Sequence, residues 1–307
     1  MFKSVTKKAL IVTAALTMVV GAGSAFAQNW KGNVEIDGSS TVFPLTQAIA
    51  VEFGGQNPDV KITVGNAGTG AGMGRFCRGE INIADASRPI SDSEKAACAS
   101  NSITPVQYRV AFDGVTVVVN EKNTWAKKLT MDQLKKMFQK DSTVRLWSDV
   151  DPSWPKRVIS FYSPSTAHGT YEYFTDKVNG TKKVQRLDQI VTAADTNGIV
   201  TGVAGNKYAI GYLGYDYYST NKSTLNAVSV SEDGKTFVAP NKGSIQNFKY
   251  PISRTLYVYV NKKKVQANKV ENAFMKFYLQ NASDIAGDIG MVPLGNNLYK
   301  TELKKVK

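Results

Sequence analysis

Two long apolar segments constrain this chain more than anything else in it. "VQYRVAFDGVTVVVN" (106–120) is too long and too apolar for a single edge strand, and "ISRTLYVYVN" (252–261) is a second segment of the same kind. Each reads as a strand that runs out of one sheet and into another. Two such crossings around a middle region imply two lobes, the first assembled from both ends of the chain. The expected division is 28–112 plus 253–307 for the first lobe and 113–252 for the second. A cleft between lobes joined in this way closes by hinge bending.

Elsewhere strands and helices alternate, the pattern of an α/β fold with a largely parallel sheet. "NVEID" alternates Val34 and Ile36 with polar residues, and the helix after it places Leu45, Ala48, Ile49, Glu52 and Phe53 on one face. "SDSE" (91–94) and Thr130-x-x-Gln133 are capping boxes that open further helices. "GTYEYFTDKVNG" puts Tyr171, Phe174 and Val178 on one face and stops at Gly180, and "VENAFMKFYLQN" turns Val270, Phe274 and Phe277 inward.

Residues 1–27 read as an export leader. Lys3, Lys7 and Lys8 precede an apolar run, and "SAFA" ends in the small-x-small pattern that signal peptidase cuts, with cleavage after Ala27. No later run is long enough to cross a bilayer. The expected product is an exported, periplasmic protein. The whole chain carries 38 Lys and Arg against 25 Asp and Glu, and loss of the leader's three lysines leaves an excess of +10. Such an excess favours anions through encounter rate and local concentration. The lysines are scattered, with no aromatic-interleaved basic stripe, which argues against nucleic acid as a partner. Cys77 and Cys98 are the only cysteines and are expected to pair in an exported chain. The loop they close, about twenty residues, is worth ~3 kcal/mol in the chain-entropy account. With a single histidine, a metal site is not expected, and no sequence signal asks for a cofactor.

Four stretches share one arrangement: a strand end, then small or hydroxyl residues, then a turn or helix start. They are Gly38-Ser39-Ser40-Thr41, Gly68-Thr69-Gly70-Ala71-Gly72, Ala86-Ser87-Arg88-Pro89 and His168-Gly169-Thr170. A helix start leaves unpaired N–H groups and partial positive charge, hydroxyls add donors, and Arg88 offers a full charge in forked geometry. Taken singly, each stretch has an ordinary explanation as an N-cap, a tight turn or a surface arginine. The glycines at 68, 70 and 72 match neither nucleotide-binding fingerprint. Together, at successive strand ends, the four stretches point to an anion-binding cleft, because ligands of open α/β sheets lie beyond the carboxyl ends of the strands.

The blocks "DGSSTVFPLTQAIAVEF", "NAGTGAGMGRFCRGEINIADASRPISDSE", "VAFDGVTVVVN", "GTYEYF", "GVAGNKYAIGYLGYDYY" and "ISRTLYVYVN" resemble, in order and spacing, the phosphate-binding proteins of bacterial phosphate ABC transporters. The resemblance covers nearly all of the chain after the leader. It implies a two-lobed α/β fold of the type II periplasmic-binding-protein kind, and a monomer that delivers inorganic phosphate to an inner-membrane permease. It also implies that Ser39, Ser40, Thr41, Thr69, Ser87 and Arg88 ring the phosphate from the first lobe, with Gly169 and Thr170 closing from the second. One loop departs from the family's "TDSGT": here Ala167 and His168 stand where Asp and Ser are usual. His168 either contributes its backbone N–H as Ser would or hydrogen-bonds the anion through its ring, in which case binding would strengthen as pH falls through the imidazole range.

Phosphate near neutral pH keeps a proton and sulfate does not, so a carboxylate in the cleft can discriminate between them. Asp113 and Asp85 are the candidate acceptors, Asp113 being equally readable as a turn former or a partner for Arg88. Other classes fit less well. No G-x-S-x-G elbow surrounds a serine, and no metal-ligand cluster is present, which argues against an exported hydrolase or a metal phosphatase. A binder of a related oxyanion such as arsenate, and an adhesin-like protein uncoupled from transport, remain as alternatives.

Overall fold

A computed structural model describes residues 30–166, 168–193 and 195–306. The leader with its cleavage point after Ala27 lies outside these residues, and so does Ala167. The chain begins with β1 (Gly32–Gly38), α1 (Phe43–Gln56), β2 (Val60–Val64), α2 (Thr69–Cys77), β3 (Ile83–Ala86), α3 (Asp92–Ser100) and β4 (Pro105–Asn120). Its middle adds β5 (Lys128–Thr130), α4 (Met131–Phe138), β6 (Ser160–Pro164), α5 (Gly169–Phe174), β7 (Ile190–Ala193), α6 (Thr196–Gly205), β8 (Ala209–Gly214), α7 (Tyr215–Thr220), β9 (Leu225–Ala227), β10 (Ser229–Ser231) and α8 (Lys242–Gln246). It ends with β11 (Ser253–Asn261), α9 (Lys262–Ala267), α10 (Lys269–Asp288) and α11 (Asn296–Leu303).

The main sheet runs β2-β1-β3-β11-β4-β8-β6-β7, with β9 also paired to β4. The long apolar β4 serves both lobes. Its residues 105–114 pair with β11, and its residues 115–119 pair with β8. Parallel pairing, the pattern expected for most of the sheet, occurs on its two flanks: β2-β1-β3 on one side and β8-β6-β7 on the other. The centre is antiparallel. The reason is topological: β11 returns from the second lobe alongside β4 and therefore runs against it.

Each lobe has its own aromatic packing. In the first, α1 buries Leu45, Thr46, Ile49, Ala50 and Phe53. Glu52 is exposed and Ala48 only half-buried, so the buried face is rotated from the one expected. Thr46 takes a place on that face because its hydroxyl bonds the Tyr278 hydroxyl of α10 at 2.9 Å. Phe53 meets Phe274 and Phe277 edge-on at 5.5 and 5.3 Å, and such pairs add to the plain burial of the rings. In the second lobe Phe138 contacts Phe161, Phe174 and Tyr212, and Phe174 stacks on Tyr212 at 3.7 Å.

Local signals act as their chemistry dictates. Ser91 with Glu94 and Thr130 with Gln133 both form complete capping boxes. Gly180 ends its helical segment in the left-handed region at φ 75°. Its preceding turn, Thr175–Asn179, winds as a π-helix, with the Thr175 hydroxyl donating to the Tyr171 carbonyl at 2.9 Å. Cys77 and Cys98 are disulfide-bonded and tie α2 to α3.

Candidate functional site

The first-lobe loops converge because β1, β2 and β3 are parallel and end on the same side. Gly38 ends β1 at φ +143°, where a Cβ would lie 2.2 Å from the Asp85 carbonyl oxygen, so the turn requires glycine. Ser39 follows, fully buried, donating its N–H to the Asp85 carbonyl at 2.9 Å. Its hydroxyl oxygen accepts the N–H groups of Thr41 and Val42 at 3.2 and 3.4 Å. The Ser39 side chain thereby closes the turn that brings Ser40 and Thr41 to the cleft. Thr69, the first residue of α2, bonds the Ser87 hydroxyl at 3.1 Å and accepts the Ser87 N–H at 3.1 Å. It fixes where Ser87 points.

Gly169 and Thr170 meet these groups from the other lobe. A Cβ on Gly169 would lie 2.5 Å from Ser87 Oγ and 3.3 Å from Thr41 Oγ1, and the Gly169 N–H donates to Ser40 Oγ at 3.4 Å. At the centre of this meeting is Arg254, a residue the sequence reading passed over. It is 5% exposed. Residue Arg254 of β11 stands directly opposite Asp113 of β4 in the sheet register. Its Nε and Nη2 donate to Asp113 Oδ2 at 2.9 and 2.8 Å. Nη1 donates to the Gly169 carbonyl at 2.8 Å, and Nη2 reaches Thr41 Oγ1 at 3.1 Å and Thr170 Oγ1 at 3.5 Å. The guanidinium lies over the Tyr173 ring at 4.8 Å, an additional cation–π contact. A hydroxyl that accepts from arginine must direct its own proton elsewhere. Arg254 therefore turns Thr41 and Thr170 into oriented donors.

The geometry gives three of the candidate groups their neighbours. Arg88 does not offer an unmatched charge, because Glu94 binds its two terminal nitrogens at 2.8 Å each and Glu172 of α5 lies 3.3 Å from Nε. It clamps α3 and bridges to α5. Asp113 is the partner of Arg254 rather than of Arg88, and its Oδ2 is already used. Asp85 is fully buried beneath the Gly38 turn, away from the cleft, and neither of its carboxylate oxygens has a partner of good geometry. Burial pushes its carboxyl up to about 8, opposed by the Thr46 hydroxyl and aided by the charge of Asp37.

A cavity of about 290 Å³ opens beside these groups, with Ser40, Thr41, His168, Thr170, Asp195 and Asp216 among its lining residues. His168 precedes α5 and accepts the Glu172 N–H through its carbonyl, so the helix start is built as expected. Asp195 and Asp216 lie outside the four stretches of small and hydroxyl residues at strand ends, and neither was anticipated. The acid after the strand in "YLGYDYY" was the available signal for Asp216. Among the described residues no three His, Cys, Asp or Glu side chains converge as a metal site would require. No helix of the described residues is long and apolar enough to cross a membrane.

The arrangement is a donor-rich cleft in which each arginine charge is matched by a carboxylate and the remaining donors are hydroxyls and backbone N–H groups. Comparison with known proteins agrees with the architecture. Residues 23–282 match the family model described as PBP superfamily domain. The "Phosphate-binding protein PstS" of Staphylococcus epidermidis is 38% identical, over 93% of this chain and 86% of that protein. The protein of the same name from Staphylococcus aureus is 37% identical, over 94% of this chain and 86% of its own length. Among solved structures, a possible phosphate binding protein from Planctomyces limnophilus superposes with a TM-score of 0.76 at 38% identity, covering 90% of this chain and 98% of that one. A putative phosphate ABC transporter substrate-binding protein with bound phosphate from Clostridium perfringens gives 0.69 at 25% identity, covering 86% and 100%. The two-lobed α/β architecture is that of type II periplasmic binding proteins. The chain belongs to the PBP superfamily and, within it, to the family of the bacterial phosphate-binding proteins PstS.

Proposed function

We propose that this protein captures inorganic phosphate between its lobes and delivers it to an inner-membrane phosphate ABC permease, acting as an exported, periplasmic monomer after removal of residues 1–27. The lobes are 28–112 plus 253–307 and 113–252. The exchange of partners along β4 after Gly114, and the start of β11 at Ser253, support that division. In this reading Ser40, Thr41, Ser87 and Thr170 donate to the phosphate oxygens, while Ser39 and Thr69 hold the loops in place. Gly169 permits the close approach of the second lobe. Arg88 acts as a bridge between α3 and α5, and the Arg254–Asp113 pair organises the donors at the hinge.

The observation that carries the reading is Arg254. Its bonds to Thr41 and Thr170 leave the protons of both hydroxyls free for a ligand in the cavity between them. Preset donors of this kind bind an oxyanion without reorganisation when it arrives. The names and bound ligand of the relatives point to the same ion. The test is a calorimetric titration of the leaderless chain with phosphate, arsenate and sulfate. Tight phosphate binding with weak sulfate binding is expected. A preference for arsenate would redirect the assignment to that ion, and absence of phosphate binding would end it. Growth on limiting phosphate after gene deletion then distinguishes transport from an uncoupled binding role.

A further inference from the structure

The strands that aim their carboxyl ends at the cleft begin at the far end of the first lobe. There Gly32, the first residue of β1, stands beside Val60, the first of β2. The start of α10 is close by, since a Cβ on Gly32 would lie 3.5 Å from Val270 Cγ2. Running the other way, β11 finishes at this end, where Asn261 pairs with Pro105 at the start of β4. The Lys262 N–H donates to the Thr104 carbonyl at 3.2 Å, so α9 starts here as well. The segment after α11 is tied alongside: the Tyr108 hydroxyl donates to the Lys305 carbonyl at 3.3 Å, and Lys305 Nζ donates to the Gln107 carbonyl at 3.2 Å.

This end is basic. Lys31, Lys262, Lys263, Lys264, Lys269 and Lys304 are all exposed. Among the described residues, none of the six lies within ion-pair distance of a carboxylate. The acids nearby are mostly turned inward. Glu271 is 4% exposed and accepts from Asn82 at 3.0 Å, and Glu302 is fully buried and holds Arg109 and Lys305. Asp59, whose carbonyl accepts the Gly32 N–H, is exposed and offsets one charge. The lysines come from separate stretches of sequence, and the strand register gathers them.

We propose that this end of the first lobe docks on an anionic lipid bilayer, leaving the cleft at the other end of the strands free. The inference goes beyond the phosphate reading and holds whichever ion the cleft takes. All six groups are lysines. A hydrated ammonium on a flexible stem suits a layer of mobile charges, whereas the fork of an arginine suits one fixed phosphate or carboxylate. The chain also enters the fold here: the cut expected after Ala27 falls four residues before Lys31. A precursor held by its leader's apolar run therefore presents this end to the bilayer. Each lysine that reaches an anionic surface strengthens binding by about fivefold, and the effect fades within a Debye length, about 8 Å at 0.15 M salt.

The experiment sediments the leaderless chain, which lacks the apolar run, with vesicles of phosphatidylcholine containing about one-third phosphatidylglycerol. Vesicles of phosphatidylcholine alone are the comparison, between about 0.05 and 0.3 M salt. Binding is expected only to the anionic vesicles, weakening steeply with salt. Joint substitution Lys262→Gln, Lys263→Gln and Lys264→Gln should weaken it about a hundredfold, glutamine having nearly the helix propensity of lysine. A second variant, Lys31→Gln with Lys269→Gln, should weaken it about twentyfold. Lys122→Gln, Lys140→Gln and Lys156→Gln together, which remove exposed lysines of the second lobe, should change it less than about threefold. Phosphate affinity should match wild type in every variant. Three results would overturn the docking surface: no binding of wild type to anionic vesicles, undiminished binding by the first two variants, or an equal loss in the third. Binding to poly(glutamic acid) with none to vesicles would overturn it in favour of an acidic protein partner. A wild type that binds vesicles but no phosphate would end the reading of the cleft and leave the docking surface standing.

Discussion

Asp85 places an ionisable carboxyl in the middle of the first lobe, on the strand that supports the Gly38 turn, with Thr46, Tyr278 and Asp37 as its polar neighbours. The folded chain holds its proton up to about pH 8, whereas a free aspartate lets it go near pH 4. Stability from this group is therefore fully present below about pH 4 and declines as pH rises, the decline being complete only above about 8. Asp85→Asn removes the ionisation and keeps the shape. The variant should gain on wild type steadily from pH 5 to pH 8 in denaturant midpoint, reaching about 2 kcal/mol or more at pH 8. Parallel pH curves for the two proteins would show that Asp85 does not titrate in this way. At this scale the sequence was only partly legible. The hydroxyls stood out because they follow strand ends directly, but Arg254 and Asp113 are 141 positions apart and become partners only through the register of β11 on β4. Arg88 was noticed because it sits in a conspicuous loop; what it binds depends on α3 and α5, which no local pattern places.

Elements show the opposite balance, since what defines them is local. Both capping boxes were readable because cap and partner are three residues apart, and each forms. The length and apolarity of β4 were enough to mark it as a strand serving two lobes. The π-turn at Thr175–Asn179 was not readable, because it depends on tertiary packing around the Thr175 hydroxyl rather than on spacing. The start of α3 joins the two kinds of information. Glu94 accepts the Ser91 N–H at 2.8 Å to close the box and at the same time holds both ends of the Arg88 guanidinium. Although burial pushes its carboxyl up, Arg88 and the Ser91 N–H hold it below the usual range. Glu94→Gln retains a residue able to close the box and removes the charge that Arg88 needs. Loss of about 1.5–3 kcal/mol in unfolding free energy is expected, the scale of a hydrogen bond to a charged group. Ser91→Ala, which removes only the reciprocal cap, should lose about 1 kcal/mol. Equal stability of Glu94→Gln and wild type in urea unfolding would mean that Arg88 finds another partner.

At the scale of the whole molecule, Gly169 stands where the proposed lobes meet. Its carbonyl takes the Arg254 bond, its N–H meets Ser40, and its α-carbon faces Ser87 and Thr41. A methyl group there would sit 2.5 Å from Ser87 Oγ. Relief has two routes: the Ser87 hydroxyl swings out of its bond with Thr69, or the lobes stay further apart. Either route withdraws a donor from the ligand, whereas the core of each lobe is untouched, because the contact exists only between them. Gly169→Ala should therefore weaken phosphate binding by about tenfold or more, equivalent to about 1.4 kcal/mol. The unliganded chain should unfold within about 0.5 kcal/mol of wild type. Small-angle scattering should show a smaller phosphate-induced contraction in the variant than in wild type. Undiminished affinity, with the full contraction, would mean that the lobes can close on the ligand without the contact that Gly169 allows, and the cleft would then have to be assembled some other way.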